Sequence, residues 1–103
     1  MDWLILTEYA GRLLSPEGLA AIDGNDPLVE QRLLIDEGIT RSRAFGRSTN
    51  VVHVIADTAY LIEIDDPSAS IEVAKGREEY FAVRAGRSLA VTKDVFAKEH
   101  LNG

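Results

Sequence analysis

The sequence predicts an α+β fold: short N-terminal helices packed on an antiparallel sheet of four to five strands, with a short helix at the C-terminal end. Three observations predict it. Residues 2–37 carry helix start and stop signals with apolar residues at helical spacing. Residues 39–92 carry runs of β-branched and aromatic residues bounded by turn signals. The two kinds of segment are grouped rather than interleaved, so the alternating units of a parallel sheet are missing.

In the first segment, Asp2 is placed to cap a helix whose Trp3, Leu6, Ala10 and Leu13 fall three and four residues apart, on one face. Gly11 weakens that helix by about 1 kcal/mol relative to alanine. Ser15-Pro16-Glu17 reads as a second start, a capping hydroxyl followed by proline at the first helical position. This helix covers Leu19 and Ile22 and stops by Gly24. Asp26-Pro27 repeats the device. A third helix follows, from Pro27 to about Glu37, with Leu28, Leu33, Leu34 and Ile35 on its apolar face and Gly38 placed to close it.

In the second segment, residues 51–55 and 60–64 read as a hairpin turning at 57–59. A three-residue loop pairs Val52 with Ile64, Val54 with Ile62 and Ala56 with Tyr60, making one face wholly apolar and setting His53 opposite Glu63 on the other. A two-residue loop mixes polar and apolar residues on both faces, so the first register is expected. Asp65-Asp66-Pro67-Ser68 breaks the chain. Residues 70–74 read as a strand turning at Lys75-Gly76, with a helix capped by Asp66 as the alternative. Residues 80–84 and 87–91 read as a second hairpin about Ala85-Gly86. Thr92 then caps a final helix over 93–101 that buries Val95 and Phe96.

With 103 residues and 46% apolar content, the chain has enough material for one core, and a single domain over 1–103 is expected. Seventeen acids against eleven bases give a net charge of −6. That balance counts against general binding to nucleic acid or to an anionic membrane. The absence of cysteine excludes disulfides, thiolate metal sites and cysteine nucleophiles. The start is acidic, with a four-residue apolar run before Thr7, unlike a secretory leader. No run approaches the ~20 apolar residues that span a bilayer. A cytoplasmic location is expected.

Charge is unevenly spread. Residues 1–37 hold eight acids and two bases, whereas 38–50 hold three bases and no acid. Asp23, Asp26, Glu30, Asp36 and Glu37 are expected to present a carboxylate face to a protein partner with a basic surface. If 41–47 is extended, Arg41, Arg43, Phe45 and Arg47 share a face, a second contact of opposite sign. Guanidiniums offer forked donors to carboxylate or phosphate, unless these arginines pair with the chain's own acids. Most aromatics fit the core. Trp3, if exposed, is an interface anchor, because large rigid aromatics dominate binding energies.

Chemistry is sparsely encoded. His53 and Glu63 are the one His–carboxylate pair that the expected register joins, suited either to acid–base work or to plain sheet pairing. No motif supplies a nucleophile. His53 and His100 are the only histidines, and Asp23-Gly24-Asn25-Asp26 lacks the alternating oxygens of a calcium loop. Neither phosphate-loop pattern occurs. Arg84 and Arg87 flank the second turn, where they are placed to hold an anion. No catalytic residue, metal or cofactor is expected. In size and charge the chain is similar in outline to small bacterial or phage-borne immunity proteins, antitoxin-like regulators and inhibitors, a likeness that extends to no residue pattern. With the acidic N-terminal segment, the missing catalytic set and the small size, the expectation is an acidic module that binds a protein, rather than nucleic acid or membrane, and occludes or regulates it. The alternative is a small-ligand-binding or enzymatic domain using the face around His53 and Glu63. A homodimer through a free sheet edge is compatible with either.

Overall fold

Backbone pairing, rather than helical periodicity, organises this chain. A computed structural model describes residues 2–13, 20–21, 27–64 and 70–95. Among them are ten strands and no helix: β1 (Asp2–Tyr9), β2 (Arg12–Leu13), β3 (Ala20–Ala21), β4 (Val29–Ile35), β5 (Thr40–Arg41), β6 (Val51–Ala56), β7 (Tyr60–Ile64), β8 (Ile71–Val73), β9 (Glu79–Ala82) and β10 (Leu89–Lys93). The α+β expectation is therefore wrong, and the described part of the molecule is all-β. Two four-stranded antiparallel sheets, in the orders β4-β1-β6-β9 and β5-β10-β7-β8, face each other, and β2 and β3 form a separate ribbon. None of the described segments is a helix long and apolar enough to cross a membrane.

The first expected helix is β1. Its burial alternates, with Leu4, Leu6 and Glu8 pointing into the core and Trp3, Ile5, Thr7 and Tyr9 pointing out. It lies in the middle of its sheet, with Leu4 opposite both Leu33 of β4 and Ala56 of β6. Two ladders of hydrogen bonds and partial burial of both faces outweigh the modest helix preference of this segment. The third expected helix is β4, whose inward residues are Gln31, Leu33 and Ile35. Of the second expected helix, only Ala20 and Ala21 are described, and they pair with Arg12 and Leu13. The rest lies outside the described residues. The final helix also fails where it can be seen, because Lys93 ends β10 and Val95 is exposed rather than buried. Residues 96–103 lie outside the described set.

Neither expected hairpin forms. The chain leaves β6 in the first sheet and enters β7 in the second, and likewise passes between sheets from β9 to β10. The inward faces are nevertheless those read from alternation. Val52, Val54, Ala56, Tyr60 and Ile62 are all buried, and they meet across the sandwich instead of side by side. The expected strand and turn at 70–76 do form, as β8 and a turn in which Gly76 has φ 75°. The 85–86 turn also forms, with Gly86 at φ 79°.

The sequence of sheet changes has a recognisable logic. From β4 onward the chain alternates between sheets at every connection except β7–β8, and β1 fills the remaining place between β4 and β6. This is the strand order of a jelly roll whose chain is opened at a different loop, so that the first strand occupies the position usually taken by the last. The core between the sheets is aliphatic, built from Leu4, Leu6, Leu33, Ile35, Val52, Val54, Ile62, Leu89 and Val91, with Phe45, Tyr60 and Phe81.

Candidate functional site

The sandwich has two chemically different ends. At one end β1 and β7 begin while β4, β6 and β10 finish. Backbone bonds from Lys93 to Asp36 (2.8 Å), Asp94 to Ala59 (3.0 Å) and Gly76 to Ala56 (2.9 Å) tie it together. At the other end the segment after β5 wraps the 84–87 turn. The Ser42 amide donates to Leu89 (2.8 Å), Phe45 to Arg87 (2.7 Å), and Gly86 back to Phe45 (2.9 Å).

Of the expected acidic face, the described members Glu30, Asp36 and Glu37 do not share one surface. Glu30 points outward on β4, opposite Thr7. Asp36 and Glu37 are exposed at the corner after β4, where the Asp36 carboxylate accepts the Gly38 amide at 2.8 Å. Asp23 and Asp26 lie outside the described residues. The acids that do gather are at the first end, where Asp36, Glu37 and Asp57 are exposed and Asp2 is bridged to Lys93 at 3.3 Å.

Trp3 sits among them. Outward alternation on β1 leaves it 42% exposed. Its backbone is clamped by Asp57, whose carboxylate accepts the Trp3 amide at 2.8 Å and whose own amide donates to the Trp3 carbonyl at 3.3 Å. Trp3, Ile5, Ile55, Ala56 and Asp57 line an open groove of about 260 Å³. A second hollow of about 380 Å³, at the same end, is bounded by Glu37, Leu61, Thr92, Lys93 and Val95. Further along the same outer face Val51 is covered, with only 1% of its surface exposed. The apolar groove described on this face lies at the Trp3 end.

Arg41, Arg43 and Arg47 are exposed at the opposite end, but Phe45 does not join them. Its ring is buried in the core, so the expected shared face is broken. Strand pairing ends at Arg41, and the chain then bends so that Ser42 and Phe45 turn inward. Two buried polar side chains hold that bend. Glu8, 1% exposed, accepts from the Gly46 amide (2.9 Å) and the Thr49 hydroxyl (2.8 Å) on one oxygen. Its other oxygen accepts from Gln31 Nε2 (3.0 Å). Gln31 Oε1 in turn accepts the Arg43 amide at 2.8 Å. Sequence reasoning missed both residues, because each is a polar side chain at an inward strand position.

The His53–Glu63 pair does not exist, since the two residues lie in different sheets. His53 instead stacks at a tilt on Tyr80, with ring centroids 4.8 Å apart, and its Nε2 is 3.2 Å from a Glu78 carboxylate oxygen. Glu63 accepts from Ser70 at 3.3 Å. The pairing of β6 with β9, which alternation does not specify, brings Glu78 to His53. Among the described residues no group of three or more His, Cys, Asp and Glu is placed to hold a metal ion. Tyr60 is fully buried, and its hydroxyl has no hydrogen-bond partner among the described residues. Burial, with the Glu79 carboxylate as the smaller cause, pushes this phenol well above the usual tyrosine range.

No family model, curated protein or solved structure matches this chain. The strand order alone carries no activity, because one architecture hosts many functions.

Proposed function

We propose that this protein is a non-enzymatic binding module that docks on a protein partner through the Trp3 end of its first sheet. The observation that carries the reading is Trp3 itself: a large aromatic, 42% exposed, on a strand held from both sides and beside an open apolar groove. A tryptophan anchor on a rigid sheet loses little conformational entropy on binding, and such anchors dominate interface energetics. Asp36, Glu37 and Asp57 are exposed at that end, where Lys75 and Lys93 also lie. The partner that fits has an apolar centre and a basic margin, and docking there occludes or regulates it. This keeps a basic partner but moves its contact from an acidic helical face to an aromatic one beside exposed acids.

The reading is tested by affinity capture from the source cell with the full chain and with Trp3→Ala, followed by titration of the purified captured protein. A partner whose affinity falls ~30-fold or more in the variant supports it, since an interface hot spot contributes about 2 kcal/mol or more. A captured protein that binds both chains equally overturns it, as does the absence of any Trp3-dependent partner.

A further inference from the structure

The arginine end holds an assembly that the sequence keeps about forty positions apart. Arg41, Arg43 and Arg47 come from the segment after β5, and Arg84 and Arg87 from the turn after β9. The reciprocal backbone bonds of Phe45 with Arg87 and Gly86 join the two segments into one surface. These are five of the eight arginines in the chain. All five are exposed, and none has an ion pair with a described residue. The nearest acid in the network, Glu8, is buried, with both oxygens occupied. We propose that this end is a docking site for a carboxylate-rich segment of a protein partner.

Three features support that occupant. First, the site is preorganised. Glu8, Gln31 and the buried ring of Phe45 fix the loop backbone, so binding orders side chains alone. Second, the cluster runs against the charge of the whole. The remaining six basic residues are set against seventeen acids, yet five guanidiniums share one end and its mutual repulsion. An acidic ligand relieves it. Guanidiniums receive carboxylates through two parallel hydrogen bonds, a geometry lysine does not offer. Third, the positive field is local. With screening over about 8 Å at physiological salt, a short acidic stretch feels mainly the arginines. A long polyanion running past this end meets the acidic remainder of the molecule. That favours a protein segment over nucleic acid.

The experiment is fluorescence anisotropy of a labelled octaglutamate peptide titrated with the full chain. The partners are the double variant Arg43→Glu/Arg84→Glu, and Lys75→Glu at the opposite end as control. The expected result is saturable binding at low salt, weakened tenfold or more by the double variant, changed less than twofold by Lys75→Glu, and lost progressively as salt rises. All substituted side chains are exposed, and an unchanged thermal midpoint shows that the fold is intact. Should the charge reversals unfold the chain, Arg43→Gln/Arg84→Gln carries the same test with a several-fold loss. Absence of binding overturns the proposal, as does equal loss with the control. Tighter binding of a single-stranded octathymidylate that depends on the same arginines overturns it in favour of nucleic acid. A concentration-dependent mass of the chain alone, abolished by the double variant, overturns it in favour of a second copy of this chain.

Discussion

The two ends of the sandwich are made from the same pleated strands and offer opposite chemistry. The Trp3 end is aromatic and aliphatic and carries exposed carboxylates, whereas the arginine end is polar, cationic and stiffened by a buried hydrogen-bond network. The first offers apolar burial, a source of affinity that salt hardly alters. The second offers field and forked hydrogen bonds, which speed encounter and fade as salt rises. The contrast teaches that a net charge of −6 is a poor guide to what any one surface of this molecule recruits.

The largest expected effect concerns the support of the arginine end. Glu8→Ala removes the acceptor of three donors, leaving the Gly46 amide, the Thr49 hydroxyl and Gln31 Nε2 without it. A loss of about 3 kcal/mol in denaturant unfolding is expected, with faster amide exchange at Arg43 and Gly46. Little change would mean that the loop stands without its buried carboxyl. The two turns make a matched pair, since Gly86 at the arginine end and Gly76 at the other both have positive φ and open space where a Cβ would sit. Alanine at either costs about 1–2 kcal/mol from backbone strain alone. Both amides also bond to another segment, Gly86 to Phe45 and Gly76 to Ala56, so a larger loss at Gly86 would show the arginine end to be the more demanding of the two.

Trp3→Ala is expected to cost about 1 kcal/mol of stability, because the ring is only partly buried, while removing partner binding. A loss comparable to that of Glu8→Ala would make Trp3 a structural residue and remove the contrast between the ends. The smallest effect belongs to Tyr60→Phe, which deletes a buried hydroxyl lacking a described partner and should be neutral or stabilising by about 1 kcal/mol. The raised phenol pKa adds a pH signature. The folded chain keeps a proton that the unfolded chain loses above about pH 10, so stability is full below that value and falls as pH rises through it. Tyr60→Phe should flatten that slope in denaturant titrations between about pH 9 and 11.

Alternation made the buried faces of 52–56 and 60–62 legible, because a period of two says which side chains point together. It says nothing about which strand lies alongside. The short connection at 57–59 therefore read as a hairpin although it steps from one sheet to the other. The turns at Gly76 and Gly86 were legible for a separate reason, since positive φ selects glycine wherever the flanking strands go. The N-terminal misreading has a physical source beside the helix start signals at Ser15-Pro16 and Asp26-Pro27. Glu8 and Gln31 occupy inward positions of β1 and β4, where a two-residue period requires apolar side chains. Those two polar residues hid the alternation and let helical spacing look better. They also bond to each other, and this bond helps fix the loop that carries the arginines. Of the site residues, Trp3 and both arginine groups were visible in the sequence. Their division between opposite ends was not, because it depends on long-range pairing.

The claim that the arginine end is one site, separate from the Trp3 end, is tested most directly by amide NMR of the full chain during titration with octaglutamate. Shifts in residues 41–47 and 84–87 that follow a single saturation curve, with the amides around Trp3 unmoved, are the predicted result. Movement in only one of the two arginine segments, or an equal response around Trp3, would contradict it.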